Sequence, residues 1–455
     1  MEITRRFARF ICGLTYEDIP SDVVQTAKER LLDNLGAAVA GCKSWIYRKE
    51  FLEACAVLGV GEQSVIGGAA TRFPTAGAAM INATFAQANE LDDGHIYAGV
   101  HAGSVVVATA LAVGAEVRSS GKEILAAIVI GYEIAYRLGV AMSPHLVLRG
   151  FHPPSVLDAC AAAAVTAKLR HFTEEQTANA LGLAGLYNNG LMEATLSGQQ
   201  MKCVMVGRAA SSGIMAAEFA ARGMEGTLTV FEGKTGMFFA MSRDVDPDSV
   251  CRGLGETYAI GDTYVKLYPT SRHAQAGIEA VLDLQQDHGF SAEDVKEILV
   301  GTYQISCRLA GKNHHPQTPG EAKFSIPFGL AVGLTTGGIS PGFLTGEHLT
   351  DEKLLGIADR VRVFVEDEIE GQYPKLRGAH VRVLLKDGRT FENTLFTLKG
   401  SPEKPIGWTG LEQKFVANSS ELLGRDTARR MADRIHRTET IEDIGELYAV
   451  FCNNS

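Results

Sequence analysis

The run VKLYPTSRH (265–273) is where the chain changes texture, and that change decides the fold. Upstream of it, from residue 1 to about 265, the sequence reads as helix after helix. Residues 22–42 carry apolar side chains at helical spacing behind Ser21 and Asp22, which suit an N-cap. The stretches 104–117 and 122–138 are Ala- and Val-rich, and Ser119, Ser120 and Gly121 separate them. Both are apolar nearly all round, which predicts helices at the centre of a helical domain. Residues 157–169 and 211–222 continue the style, with Ala and Gly faces that let backbones approach closely, and no β-rich block interrupts. Downstream, 297–303 (EILVGTY) and 360–365 (RVRVFV) read as strands, and 380–396 reads as a hairpin turning at Lys386-Asp387-Gly388. Residues 271–288 and 322–336 between them look helical. The expected architecture is mainly α with an α+β second domain. Its parts are a large helical domain (1–265), a smaller α/β domain (266–398), and a tail (399–455) that returns to the helical domain after the linker Ser401-Pro402-Glu403-Lys404-Pro405.

Composition narrows the function. The chain has 455 residues, 46% hydrophobic and 21% charged, which fits a folded chain of two or three domains. A formal net charge of -10 argues against a nucleic-acid or anionic-membrane partner, since both demand a basic surface. It leaves room for an anionic substrate in a local cationic pocket. None of the eight cysteines forms a C-x-x-C pair, so buried free thiols in a reducing compartment are expected. The start, MEITRRFARFICGL, reads as an amphipathic helix rather than a signal peptide, and the longest apolar run, 104–117, is short for a membrane span. The expected location is cytoplasmic.

Several tempting motifs fail. Gly233-Lys234-Thr235 resembles the end of a phosphate-binding loop, yet Leu228 stands where the first glycine is needed. No G-x-G-x-x-G follows a predicted strand, and no G-x-S-x-G elbow is present. His314 and His315 lie in a polar, Pro-rich loop. Asp92, Asp93 and His95 lack a second cluster at ligand spacing, so neither metal nor organic cofactor is expected.

Four polar segments break into apolar helical sequence instead. The first runs Asn89-Glu90-Leu91-Asp92-Asp93-Gly94-His95 and on to His101. The second is Arg149-Gly150-Phe151-His152-Pro153. The third holds Lys202 with Arg208 after it. The fourth holds Lys266, then Ser271 as a predicted N-cap with Arg272 and His273 in the first turn. A lysine among Met, Cys and Val is partly desolvated, and a desolvated lysine releases its proton more readily. Together these segments supply Arg149, Lys202, Arg208, Lys266 and Arg272 with His101, His152 and His273. That set suits carboxylate groups, with Arg gripping as a fork and Lys as a point charge. Proton transfer beside a carboxylate needs a base of near-neutral pKa and positive charge where the enolate-like intermediate forms. Spacing alone does not say that these groups meet.

At these residues the chain resembles the MmgE/PrpD family, whose members include 2-methylcitrate dehydratase, cis-aconitate decarboxylase and iminodisuccinate epimerase. The matching segments follow in order: GAAVAG (36–41), the Glu90-Leu91-Asp92-Asp93 loop leading to His101, GYEIAYRL (131–138), RGFHP (149–153), and Lys202 with GRAASSG (207–213). FEGKTGMF (231–238), VKLYPTSRH, AKFSIPFGLAVG (322–333), KDGRTFE (386–392) and KGSPEKP (399–405) complete the series. The resemblance implies a homodimer with a helical domain, a smaller lid, and an active site in the cleft between them. It implies that His101, His152, Lys202 and Lys266 are catalytic, and that Glu90, Asp92, Arg149, Arg272 and His273 bind substrate. Glu90 stands where the decarboxylase has an aspartate, Gly94 where it has a threonine, and Phe328 where many relatives have a tyrosine. Ala102-Gly103 replaces a Pro-Ser type pair after the histidine. The function expected is a cofactor-independent lyase, hydro-lyase-like, acting on a small di- or tricarboxylate. An epimerase of a dicarboxylate is the alternative, then a decarboxylase, and last a non-catalytic acid-binding protein. In the lyase reading His101 or Lys202 moves the proton, Lys266, Arg272 and His273 hold carboxylates, and His152 assists the leaving group.

Overall fold

The structure is a computed structural model that describes residues 3–187 and 189–452. Its hydrophobic residues fall into two main clusters, and the switch between them comes at the VKLYPTSRH run. One cluster gathers residues from Ile3 to Val265 and resumes from Leu411 to Cys452, and the other gathers Ala274 to Leu398. The larger cluster is helix on helix. Helices Ala102–Val117 and Pro153–Leu169 have Ala-rich surfaces that are almost wholly buried, so neighbours reach them from every side. Lys202–Ala221 lies against both Pro153–Leu169 and Thr75–Ala88. The tail packs back: Gly407–Leu423 lies on Ser21–Ser44, and Ile444–Cys452 lies on Ala102–Val117.

The smaller domain is built on a four-stranded sheet. Its order is β4 (Val361–Val365), β3 (Val295–Thr302), β5 (Ala379–Leu385), β6 (Thr390–Leu395). β3 and β4 are parallel, and β3–β5 and β5–β6 are antiparallel. Along β5, Ala379, Val381, Val383 and Leu385 are buried while Arg382 faces out, the period-two pattern of a half-covered sheet. Gly388 at φ +92 closes the β5–β6 turn. Helices Arg272–His288 and Ile326–Thr336 contribute to the core over the buried face.

Two expectations need correction. The helix expected over 322–336 is two helices, Pro319–Lys323 and Ile326–Thr336. Pro327 has no amide hydrogen with which to continue a helix back onto Lys323, and Ser325, extended at φ -115, caps the second helix by accepting from the Phe328 amide at 3.0 Å. The break leaves Lys323 at a helix end, where its side chain reaches into the large domain. Second, the helix expected over 122–138 is longer, and it rather than the run 104–117 is the one whose length bears on a membrane span. Gly121–Met142 is long and apolar enough to cross a membrane, yet it lies mostly buried in the large domain. Its inward Glu133 pairs with Arg137 at 2.7 Å and accepts the Ala259 amide.

Candidate active site

The site grows from the loop after helix Thr75–Ala88. Glu90 takes a left-handed conformation, φ 53, unusual for a side chain with a Cβ and worth roughly 1–3 kcal/mol of strain. The turn sends Glu90, Asp92 and Asp93 inward, where all are buried. Directly after it, β1 (Gly94–His95) pairs antiparallel with β2 (Thr263–Tyr264). This two-residue ladder brings Lys266 to the acidic loop from 176 positions away. The sequence reading missed it because two residues carry no legible strand pattern.

Lys266 Nζ donates to Glu90 Oε2 at 3.1 Å and Asp92 Oδ1 at 3.2 Å, and Lys202 Nζ donates to Glu90 Oε1 at 2.5 Å. Burial alone would raise the Glu90 carboxyl, but the two ammoniums overcome that and hold it well below the usual carboxylate range. Burial pulls Lys266 the other way, and Asp92 and Glu90 outweigh it, so the lysine stays charged. Asp92 is completed by Gln87 at 2.7 Å and Ser104 at 3.1 Å. Asp93 turns aside to Tyr132, to Asn34 and to the Gly103 amide, and burial raises it to about 6.

His101 sits at the N-cap position of Ala102–Val117 with its Nδ1 2.6 Å from the Asp93 carbonyl. A carbonyl only accepts, so Nδ1 carries the proton and Nε2 keeps its lone pair. Burial, then Lys266, lowers His101 to about 4, so its imidazole is neutral at neutral pH. A bound anion would raise it again. His152, at the N-cap position of Pro153–Leu169, has Nδ1 2.7 Å from Ser155 Oγ, and burial holds it well below the usual range. Lys202 and Arg272 open helices Lys202–Ala221 and Arg272–His288. Helix N-termini carry roughly half a positive charge, so the helices that bear these groups add to an anion-attracting field.

Beyond His101 the group continues into the small domain. Arg272 stacks its guanidinium 4.5 Å over the Tyr264 ring and donates from Nη2 to Ser401 at 2.8 Å. His273 Nδ1 is 2.7 Å from the Tyr303 hydroxyl. Burial first, then Arg377 and Arg272, lower His273 to about 3, so it offers a carboxylate a neutral hydrogen-bonding ring rather than a charge. Tyr264, Tyr303, Arg377 and Lys323 were missed. Lys323 Nζ donates to the Ala88 carbonyl at 2.7 Å, and burial lowers it to about 8. One lysine ahead of an apolar run was the only signal for it. For Arg377 no local signal existed.

Not every expected residue arrives. Arg149 and Arg208 are exposed and contribute no ion pair among the described residues. Glycine at 150, φ 89, turns the chain between Arg149 and His152, so His152 goes in and Arg149 stays out. Asp92 spends its oxygens on Lys266, Gln87 and Ser104, which makes it a holder of cations rather than a free contact for an acid. Phe328 lies in the apolar core of the small domain. A Cβ at Gly94 would fall 2.6 Å from the Tyr264 hydroxyl and 2.9 Å from His101 Nδ1, so the tyrosine occupies the space a larger residue would take. Among the described residues no three His, Cys, Asp or Glu side chains converge as a metal site.

A cavity of about 30 Å³ adjoins Glu90, Lys202, Lys323 and Phe324. A far larger one, about 1110 Å³, lies elsewhere against Glu116, Arg170 and Glu218. Its Arg170 is already neutralised by Glu116 and Glu218, so the small cavity is where the unusual chemistry lies.

A helical domain joined to an α/β domain, with lysines, histidines and carboxylates buried where they meet, defines a two-domain class of its own. Residues 5–249 match the MmgE/PrpD N-terminal domain, and residues 268–439 match the MmgE/PrpD C-terminal domain. The chain belongs to the MmgE/PrpD family. It is 28% identical to a cis-aconitate decarboxylase-like protein of Aspergillus oryzae, over 98% of this chain and 97% of that one. It is 27% identical to a cis-aconitate decarboxylase of Aspergillus terreus, over 89% and 85%. It is 23% identical to a 2-methylcitrate dehydratase of Salmonella typhimurium, over 60% and 58%.

Proposed function

We propose that the chain is a lyase that acts on a small di- or tricarboxylate by proton transfer at the carbon beside a carboxylate. One observation carries this reading: a neutral His101, its proton committed to the Asp93 carbonyl, lies beside Lys266 and Asp92 in a buried cluster. Nε2 then serves as base, or as acid once it has taken a proton. The ammoniums of Lys202 and Lys266 stabilise negative charge spreading onto the adjoining carboxylate. A ligand bringing two or three negative charges raises His101 toward the range where it exchanges protons at neutral pH. His152 shares a hydrogen bond with Ser155 and is suited to a departing hydroxyl. Loss of water and loss of carbon dioxide both proceed through such an enolate-like species. The relatives matched over most of their length are named for decarboxylation, which favours that branch, and the dehydratase match keeps the hydro-lyase branch in view.

The test is a panel of di- and tricarboxylates, cis-aconitate and 2-methylcitrate among them, incubated in deuterated water and followed by NMR. Decarboxylation places one deuterium in a product short of a carboxylate. Dehydration gives an alkene. Epimerisation exchanges the α-hydrogen with neither. His101→Gln is expected to lower whichever rate is found by about 100-fold or more. A panel with no turnover and no exchange would sink the lyase reading.

A further inference from the structure

The charges in the cleft are unevenly balanced. The lysine pole is already paired with carboxylates, since Lys202 and Lys266 face Glu90 and Asp92 at 2.5 to 3.2 Å. The arginine pole is not. Arg272 is 5% exposed and makes no ion pair among the described residues, and its Nε and Nη1 have no hydrogen-bond partner there. Arg377, from the segment before β5, donates from Nη2 to the Ile96 carbonyl at 2.9 Å, and its buried Nε has no partner. Beside them stand His273, the Tyr303 hydroxyl it meets, and Tyr373, whose ring stacks on Tyr303 at 4.6 Å, while the one carboxylate that acts on Arg272, Glu279, is engaged by the Lys399 amide and by Lys404. Buried guanidinium donors are costly when unmade, and their fork fits a carboxylate.

We propose that Arg377 and Arg272 form a second carboxylate subsite, for the end of the substrate remote from the reacting carbon. This rests on the reading of the cleft as an acid-binding site. The ligand class is an acid with carboxylates at both ends, one toward Lys202 and Lys266 and the other reaching past Tyr264 to the arginines. Arg377 also joins the domains through the Ile96 carbonyl, so it senses whether the small domain is seated.

The probe is tricarballylate, titrated calorimetrically into wild type, Arg377→Gln and Arg377→Lys. Arg377→Gln is expected to weaken binding tenfold or more, and Arg377→Lys, which keeps the charge but not the fork, to recover part of the loss. On an acid that turns over, Arg377→Gln is expected to raise KM with kcat little changed. Unchanged affinity and KM in Arg377→Gln overturn the subsite and leave the lyase reading standing. Arginine-dependent binding without turnover of any acid does the reverse. If the variants do not fold, a crystal structure of wild type with tricarballylate decides. A carboxylate on Arg272 and Arg377 supports the proposal, and carboxylates on Lys202 and Lys266 alone overturn it.

Discussion

His273 shows what burial does to a single group. From the sequence it reads as one of the groups that hold a carboxylate; in the structure it is a neutral ring lowered to about 3 by burial and two arginines. Its ordinary value in an unfolded chain is about 6.5. Between those values the unfolded chain binds the proton and the folded chain does not, so this residue's share of stability is present at neutral pH and drains away as pH falls. His273→Gln removes that dependence. Relative to wild type, the variant is expected to gain about 1.4 kcal/mol for each pH unit below roughly 6.5, read from denaturant unfolding at pH 7 and pH 5. A gap between the two proteins that stays constant with pH would contradict the neutral assignment. Of the groups in the cleft, His101, His152, Lys202 and Lys266 were legible because each breaks an apolar context with a charge or an imidazole. Lys323 and Tyr303 were not, because the apolar runs beside them signal burial but not a place in the cleft, and Arg377 has no local signal at all.

At the scale of elements, glycine sets how closely helices cross. A Cβ at Gly213 would meet the Ala159 carbonyl at 2.3 Å and the Ala162 methyl at 2.5 Å, so Lys202–Ala221 and Pro153–Leu169 touch backbone to backbone. This contact holds the helix that carries Lys202 against the helix that carries His152. Gly213→Ala forces them apart and is expected to destabilise by about 1–3 kcal/mol. Gly356, in helix Glu352–Ala358, has open space around it, and Gly356→Ala is expected to stabilise by about 0.5–1 kcal/mol. Thermal melting of the two variants checks the contrast, and shifts of the same sign would refute the packing argument. The Ala and Gly faces were readable from sequence. Which helix each one meets was not, since many faces of that composition fit one another equally well.

On the scale of the whole molecule, cations of the small domain pin both ends of the acidic loop: Lys323 holds the Ala88 carbonyl before it and Arg377 the Ile96 carbonyl after it. The cavity beside Glu90 and Lys202 is about 30 Å³, room for roughly one water. If the cleft takes a carboxylic acid as proposed, its entry is expected to need the small domain to lift, and its binding to hold that domain down. Hydrogen exchange is expected to slow at amides near 94–100 and 320–325 when tricarballylate saturates the chain, while amides within Gly121–Met142 stay unchanged. Equal exchange with and without ligand would mean that the domains do not separate.

The change of texture at 265–273 was decided locally. Apolar residues recurring every three or four positions must bury a helical stripe, alternation must bury one face of a sheet, and a neighbouring dozen residues suffices for either. Charge balance was decided only in three dimensions. Whether a lysine is neutralised, a histidine is held neutral or an arginine is left wanting an anion depends on partners up to 281 positions away, brought there by a two-residue ladder and one domain resting on another. Electrostatic energy follows distance and burial, and neither is a property of residues taken in order.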